Sequence, residues 1–181
     1  MVSDVEYFID KNFLFENAFK ATILKWDKHF DETTSFYFGL QYNEAEIVVK
    51  NAVKIFKPFY FIYLVAYSLP VIIFTNFNIV LSKNTINNLN QIVYTTSATC
   101  LIYLLYIIVS NIKSKVKTTY SYILKTQYLS IIFIIISLIR GNYFNDNGVF
   151  LGFFSAGFAV TYICHYFYKK HKEAIKKYKI L

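Results

Sequence analysis

The 181 residues are 56% hydrophobic and 20% aromatic, with a mean hydropathy of +0.38 and a formal net charge of +8. The apolar residues come in blocks, which excludes an ordinary soluble domain of about 45–50% apolar content. The positive charge does not point to nucleic acid: residues 1–57 hold seven Lys against nine acids, and the surplus Lys sits at the ends of apolar runs.

In chain order, Ser3-Asp4-Val5-Glu6 reads as a capping box that opens a short helix. Phe15, Ala18, Phe19, Thr22, Ile23, Trp26 and Phe30 recur at helical spacing, with Glu16 four residues before Lys20. This stripe suits either a helix lying in the membrane interface or one packed on the rest of a small head. Ser35–Tyr42 alternates loosely and contains Gly39, so it reads as a short extended segment or an aromatic loop. Asn43-Glu44-Ala45-Glu46 reads as a second capping box, and its helix is expected to end or bend at Lys57, before Pro58.

Four apolar runs follow: Phe59–Leu81, Ile92–Ile112, Tyr120–Ile139 and Val149–Tyr168. Each has the roughly 20 residues a helix needs to cross the hydrocarbon core. The connections Ser82–Gln91, Lys113–Thr119 and Arg140–Gly148 are short, so consecutive helices are expected to be antiparallel neighbours. The predicted fold class is therefore all-α: a polytopic integral membrane protein, with four spans in an antiparallel bundle. A helical cytoplasmic head covers residues 1–57, the spans residues 58–168, and a lysine-rich cytoplasmic tail residues 169–181. No secretory leader precedes the first apolar run, so insertion is expected to rely on the spans themselves.

Orientation follows from the basic residues, which stay on the cytoplasmic side. Thirteen of them flank the spans on one side, with Lys50, Lys54 and Lys57 just before the first, four around the second connection and six after the fourth, against Lys83 and Arg140 on the other side. Both termini are expected in the cytoplasm and the protein in the cell membrane. Tyr and Phe at the span ends, Tyr143 and Phe144 among them, are expected to anchor at the interface.

Three constellations are candidate sites. Gly148, Gly152 and Ala156, with Gly157 adjacent, form a small-residue face that lets two helix backbones approach closely, either within the chain or between two copies. Tyr63 and Tyr67 in the first span and Thr99 and Tyr103 in the second are a candidate polar path for an ion or small solute. Lys169, Lys170, Lys172, Lys176 and Lys177 can attract anionic lipid headgroups. Pro70 is expected to kink the first span.

No motif of nucleophilic, metal or phosphate-transfer chemistry is found. His29, His165 and His171 have no metal-ligand spacing, and Cys100 and Cys164 differ too much in depth for a disulfide. No cofactor is expected. The leading expectation is a non-enzymatic membrane module that assembles with itself or with a membrane protein partner, its other partner being the lipid bilayer. The alternative is a small channel or transporter. An intramembrane enzyme acting on lipid would have to rely on His165 and the head.

Overall fold

The computed structural model describes residues 2–11, 14–30, 32–37, 40–77, 79, 81–140, 143, 144 and 148–178. Gly39, Asn78, Lys179 and most of the Arg140–Gly148 connection lie outside the described residues. The chain divides into two compact units, Met1–Asn51 and Ala52–Leu181.

The first unit opens with α1 (Val2–Asp10) and α2 (Phe15–Phe30). Asp4 of α1 accepts hydrogen bonds from Lys25 and, at 3.1 Å, from the Trp26 indole of α2. Ala18 and Thr22 are buried, and the Thr22 hydroxyl donates to the Ala18 carbonyl at 2.8 Å. Leu14, Phe15, Phe19, Ile23 and Leu24 are exposed, with the Phe15 and Phe19 rings stacked 6.1 Å apart.

The head is helical apart from one hairpin, which covers the segment read as extended or as an aromatic loop. Strands β1 (Glu32–Tyr37) and β2 (Leu40–Ala45) pair antiparallel, from Glu32 opposite Ala45 to Tyr37 opposite Leu40. Thr33, Thr34, Phe36, Tyr37 and Tyr42 are residue types that favour a pleated strand. Asn43 pairs with Thr34 and Glu44 with Thr33, so the expected capping box there does not form and the next helix opens only at Glu46.

That helix, α3 (Glu46–Asn76), runs through both Pro58 and Pro70. The helix therefore does not end at Lys57. A proline removes one backbone donor, and a long helix held on both sides of it can continue. The helix stops five residues short of the expected Leu81. The Thr75 hydroxyl donates to the carbonyls of Val71 and Ile72 at 2.8 and 3.2 Å, and the Asn76 amide donates to Ile72 at 2.8 Å.

α4 (Lys83–Lys113) begins well before the expected Ile92. Ser82 caps it, accepting from the Thr85 amide at 3.3 Å, and neither Gly nor Pro interrupts the Asn-rich first turns. The third apolar run is two helices instead of one. α5 (Thr119–Thr126) and α6 (Ile131–Arg140) are joined through Gln127 and a 3₁₀ turn, Tyr128–Ser130. The Thr126 hydroxyl donates to the Ile123 carbonyl at 2.7 Å, and Gln127 Nε2 donates to Thr126 Oγ1 at 3.0 Å. α7 (Val149–Tyr178) continues past the expected Tyr168, so the lysine-rich segment is helical through Lys177.

The architecture is all-α in class. Four helical stretches are long and apolar enough to cross a membrane: Glu46–Asn76, Lys83–Lys113, Thr119–Ile139 and Val149–Lys177. In the second unit α7 is the hub. Its Ala156, Val160, Ile163 and Phe167 are buried, and they join Leu104 and Ile107 of α4, Ile123 and Leu124 of α5 and Ile134 of α6 as the core. α3 is the most peripheral: only 6% of its most apolar stretch is buried, against 44% in α7.

Candidate functional site

Three seams along α7 carry the sequence candidates. The first joins α7 to α3. A Cβ on Gly152 would stand 2.8 Å from the Tyr67 carbonyl oxygen, and one on Gly148 would stand 2.8 Å from both the Pro70 carbonyl oxygen and Phe74 Cβ. Gly148 also has φ +75°, a conformation that strains a side-chain-bearing residue. Phe59 packs on Phe167 and Tyr67 on Phe153, with ring centres 5.0 and 5.3 Å apart. Early α3 thus meets late α7, and late α3 meets early α7.

The glycine face is split between two neighbours. Gly148 and Gly152 face α3, whereas a Cβ on Gly157 would stand 2.5 Å from Ile134 Cγ1 of α6. Ala156 is buried.

The four residues of the candidate polar path do not meet. The Tyr63 hydroxyl donates to Gln127 Oε1 at 2.7 Å, across to the α5–α6 break. Tyr67 lies against α7. The Thr99 hydroxyl donates to Thr95 O of its own helix at 2.9 Å and is exposed. The Tyr103 hydroxyl meets His165 Nδ1 at 2.5 Å, on the outer side of the α4–α7 seam.

That seam carries further polar pairs and runs toward the ends of both helices where Lys113 and the Lys169–Lys177 lysines lie. Beyond Tyr103 and His165, Ser110 Oγ and the Tyr168 hydroxyl are 2.8 Å apart. Next comes His171, 2% exposed, with Nδ1 2.8 Å from Thr118 Oγ1 and Nε2 3.2 Å from Ser114 Oγ. His171 thereby joins α7 to the α4–α5 connection through both ring nitrogens. Between α4 and α7 here lies a cavity of about 440 Å³, lined by Tyr106, Val109, Ser110, Lys113, Ser114, Tyr168, His171, Lys172 and Ile175. Its charged lining residues are both lysines. Lys172 Nζ sits over the Tyr168 ring, 4.7 Å from its centre.

Of the lysines singled out in the sequence, only Lys172 lines this cavity. Lys170 pairs with Glu173 at 3.2 Å, and Lys169, Lys176 and Lys177 are exposed.

Sequence reasoning missed the buried amide groups. Asn111 Nδ2 donates to the Tyr128 hydroxyl at 2.8 Å and to the Ser121 carbonyl at 3.3 Å, and its Oδ1 accepts from Ser121 Oγ at 2.8 Å. Ser97 and Ser137 hydroxyls meet at 3.1 Å between α4 and α6. The signal was present: Asn111 and Gln127 are amides inside or beside apolar runs, where an unsatisfied polar group is costly. Tyr143, read as an interfacial anchor, is fully buried, and its backbone amide donates to Asn90 Oδ1 at 3.0 Å. Cys100 and Cys164 are free and buried. Among the described residues no three His, Cys, Asp or Glu side chains gather as a metal-ion site.

No known protein family, no curated protein and no solved structure matches the chain.

Proposed function

We propose that the chain is a multi-pass protein of the cell membrane, with both termini in the cytoplasm and its four helical stretches forming an antiparallel bundle. It works without catalysis, by assembling with a second copy or a membrane protein partner. What supports membrane insertion is the uncovered apolar surface. Phe61, Leu64 and Ile72 of α3, Phe77 just after it, and Ile102 and Ile112 of α4 are all more than half exposed. In water such a surface is an aggregation liability; in a bilayer it is solvated. The contact order along α7 supports the bundle, and the lysine distribution supports the sidedness.

The observation that carries assembly is the Tyr103–His165 pair, with His165 and Tyr162 exposed on α7. Polar groups on the outer surface of a span cost free energy against lipid, and a protein neighbour removes that cost. The glycine face contributes less to assembly than the sequence implied, because α3 and α6 already fill it.

Cross-linking in native membranes tests this reading. Cysteine introduced at Tyr162 is expected to yield a dimer or a defined heteromeric adduct, whereas cysteine at Phe61 yields neither. A strict monomer at both positions, with no co-purifying protein, overturns it.

A further inference from the structure

We infer that the cavity between the lysine-rich ends of α4 and α7 is a binding site for a phosphate-bearing anion, with the headgroup of an anionic phospholipid as its source. Its volume of about 440 Å³ lies within the range of small-ligand sites, about 300–1,000 Å³. The lining divides by chemistry. Lys113 and Lys172 supply positive charge, and Ser110, Ser114 and Tyr168 supply hydroxyls. Tyr106, Val109 and Ile175 supply an apolar wall, the surface a glycerol backbone and the first acyl carbons require. Among the described residues no carboxylate lines the cavity to compete with an anion.

The site is also held in shape before any ligand arrives. Tyr168 is fixed by Ser110 at 2.8 Å and carries Lys172 over its ring at 4.7 Å. His171, bonded through both nitrogens to Thr118 and Ser114, ties the floor to the α4–α5 connection. Pre-positioned groups lose less freedom on binding than loose surface lysines do. Lys113 and Lys172 are exposed like Lys169, Lys176 and Lys177; what separates the cavity is the fixed hydroxyls of Ser110, Ser114 and Tyr168 beside them, which the other three lack.

The lipid source rests on the membrane reading above, whereas the anion site stands on the α4–α7 geometry alone. The test uses the full chain in nanodiscs, with phosphatidylglycerol titrated into phosphatidylcholine and bound lipid counted by native mass spectrometry. Saturable retention of phosphatidylglycerol is expected. The pair Lys113→Ser/Lys172→Ser is expected to weaken it by about tenfold or more, and the equally charged control pair Lys169→Ser/Lys177→Ser by less than about twofold. Val109→Trp, which fills the cavity and keeps every lysine, is expected to act like the pocket pair; unchanged helicity verifies that each variant folds. Glycerol 3-phosphate is titrated in parallel against the detergent-solubilised chain. Binding with the same Lys113/Lys172 dependence assigns the site to a soluble phosphate ester; lack of it, with phosphatidylglycerol retained, assigns it to lipid. Equal losses in both lysine pairs, or no retention of either ligand, overturn the site. Oligomeric state read from the same spectra separates this outcome from failure of the assembly reading: a monomer that retains lipid sinks only assembly, and an oligomer that retains none sinks only the site.

Discussion

The Tyr63 hydroxyl donates to Gln127 Oε1 at 2.7 Å, and this bond fastens α3 to the point where α5 gives way to α6. Gln127 is 1% exposed, so its amide must be satisfied from within the protein. Its Nε2 already bonds Thr126. Tyr63→Phe leaves the Oε1 atom without this donor at nearly constant shape. It is expected to destabilise the chain by about 0.6 kcal/mol and at most about 1.7 kcal/mol, the range measured for interhelical bonds in membranes. Unfolding in mixed detergent micelles, followed by circular dichroism, measures it. No change would mean that α3 is held by its aromatic contacts alone.

The α3–α7 seam makes a sharper prediction. An alanine at Gly152 places its Cβ 2.8 Å from the Tyr67 carbonyl oxygen, and backbone can retreat only if the whole of α3 moves. Gly152→Ala is therefore expected to cost about 1–3 kcal/mol, as overpacking does elsewhere. Ser155→Ala on the same helix removes only a hydroxyl bonded to Leu151 O, and is expected to change stability by well under 1 kcal/mol. The two variants compared by thermal unfolding in one detergent decide the matter. Equal melting temperatures would rule out close approach of the backbones at Gly152.

Where the fold was legible, the reason is length and periodicity. A 20-residue apolar run admits few structures other than a helix, and each of the four runs is helical over most of its length. What was not legible depended on competition between side chains and backbone. Lys57–Pro58 looked like an end or a bend, yet α3 runs on through it and through Pro70. The real interruption is at Thr126 and Gln127, two residues of no strong breaking tendency, and it is stabilised by a tyrosine on another helix. No local rule reveals that. The candidate site was half legible: Lys172 was singled out for its charge, but Tyr168 and Ser110, which shape the cavity around it, matter only once α4 and α7 lie side by side.

Asn111 is expected to be the most sensitive polar position between α4 and α5. It is 3% exposed and exchanges hydrogen bonds with Ser121 and Tyr128. Asn111→Leu keeps much of the volume and leaves the hydroxyls of Ser121 and Tyr128 without that partner. The expected loss is about 1–2 kcal/mol, the sum of a few weak membrane hydrogen bonds. Adding Ser121→Ala and Tyr128→Phe removes the stranded hydroxyls and should recover part of it, because leaving polar groups unmatched costs more than removing both partners. A triple variant less stable than Asn111→Leu alone, measured by the same micelle unfolding, contradicts this account.

The link between α1 and α2 is set by pH in a direction that can be worked out. The hydrogen bond from Lys25, followed by that from the Trp26 indole, lowers the Asp4 pKa from 3.8 to about 2. A carboxylate whose pKa is depressed on folding contributes stability that is fully present above its unfolded value and is lost as pH falls through the folded one. The α1–α2 contact should therefore be constant from neutrality down to about pH 4 and weaken between there and about pH 2. Trp26 is the chain's single tryptophan, so its emission reports this contact without labelling. Titration of the full chain in detergent is expected to give a red shift with a midpoint near pH 2. In Asp4→Asn the shift should be present at neutral pH and flat across the same range, since the charged acceptor is gone. A midpoint near pH 4 in the unmodified chain would mean that Lys25 and Trp26 do not hold the ionised Asp4 in solution.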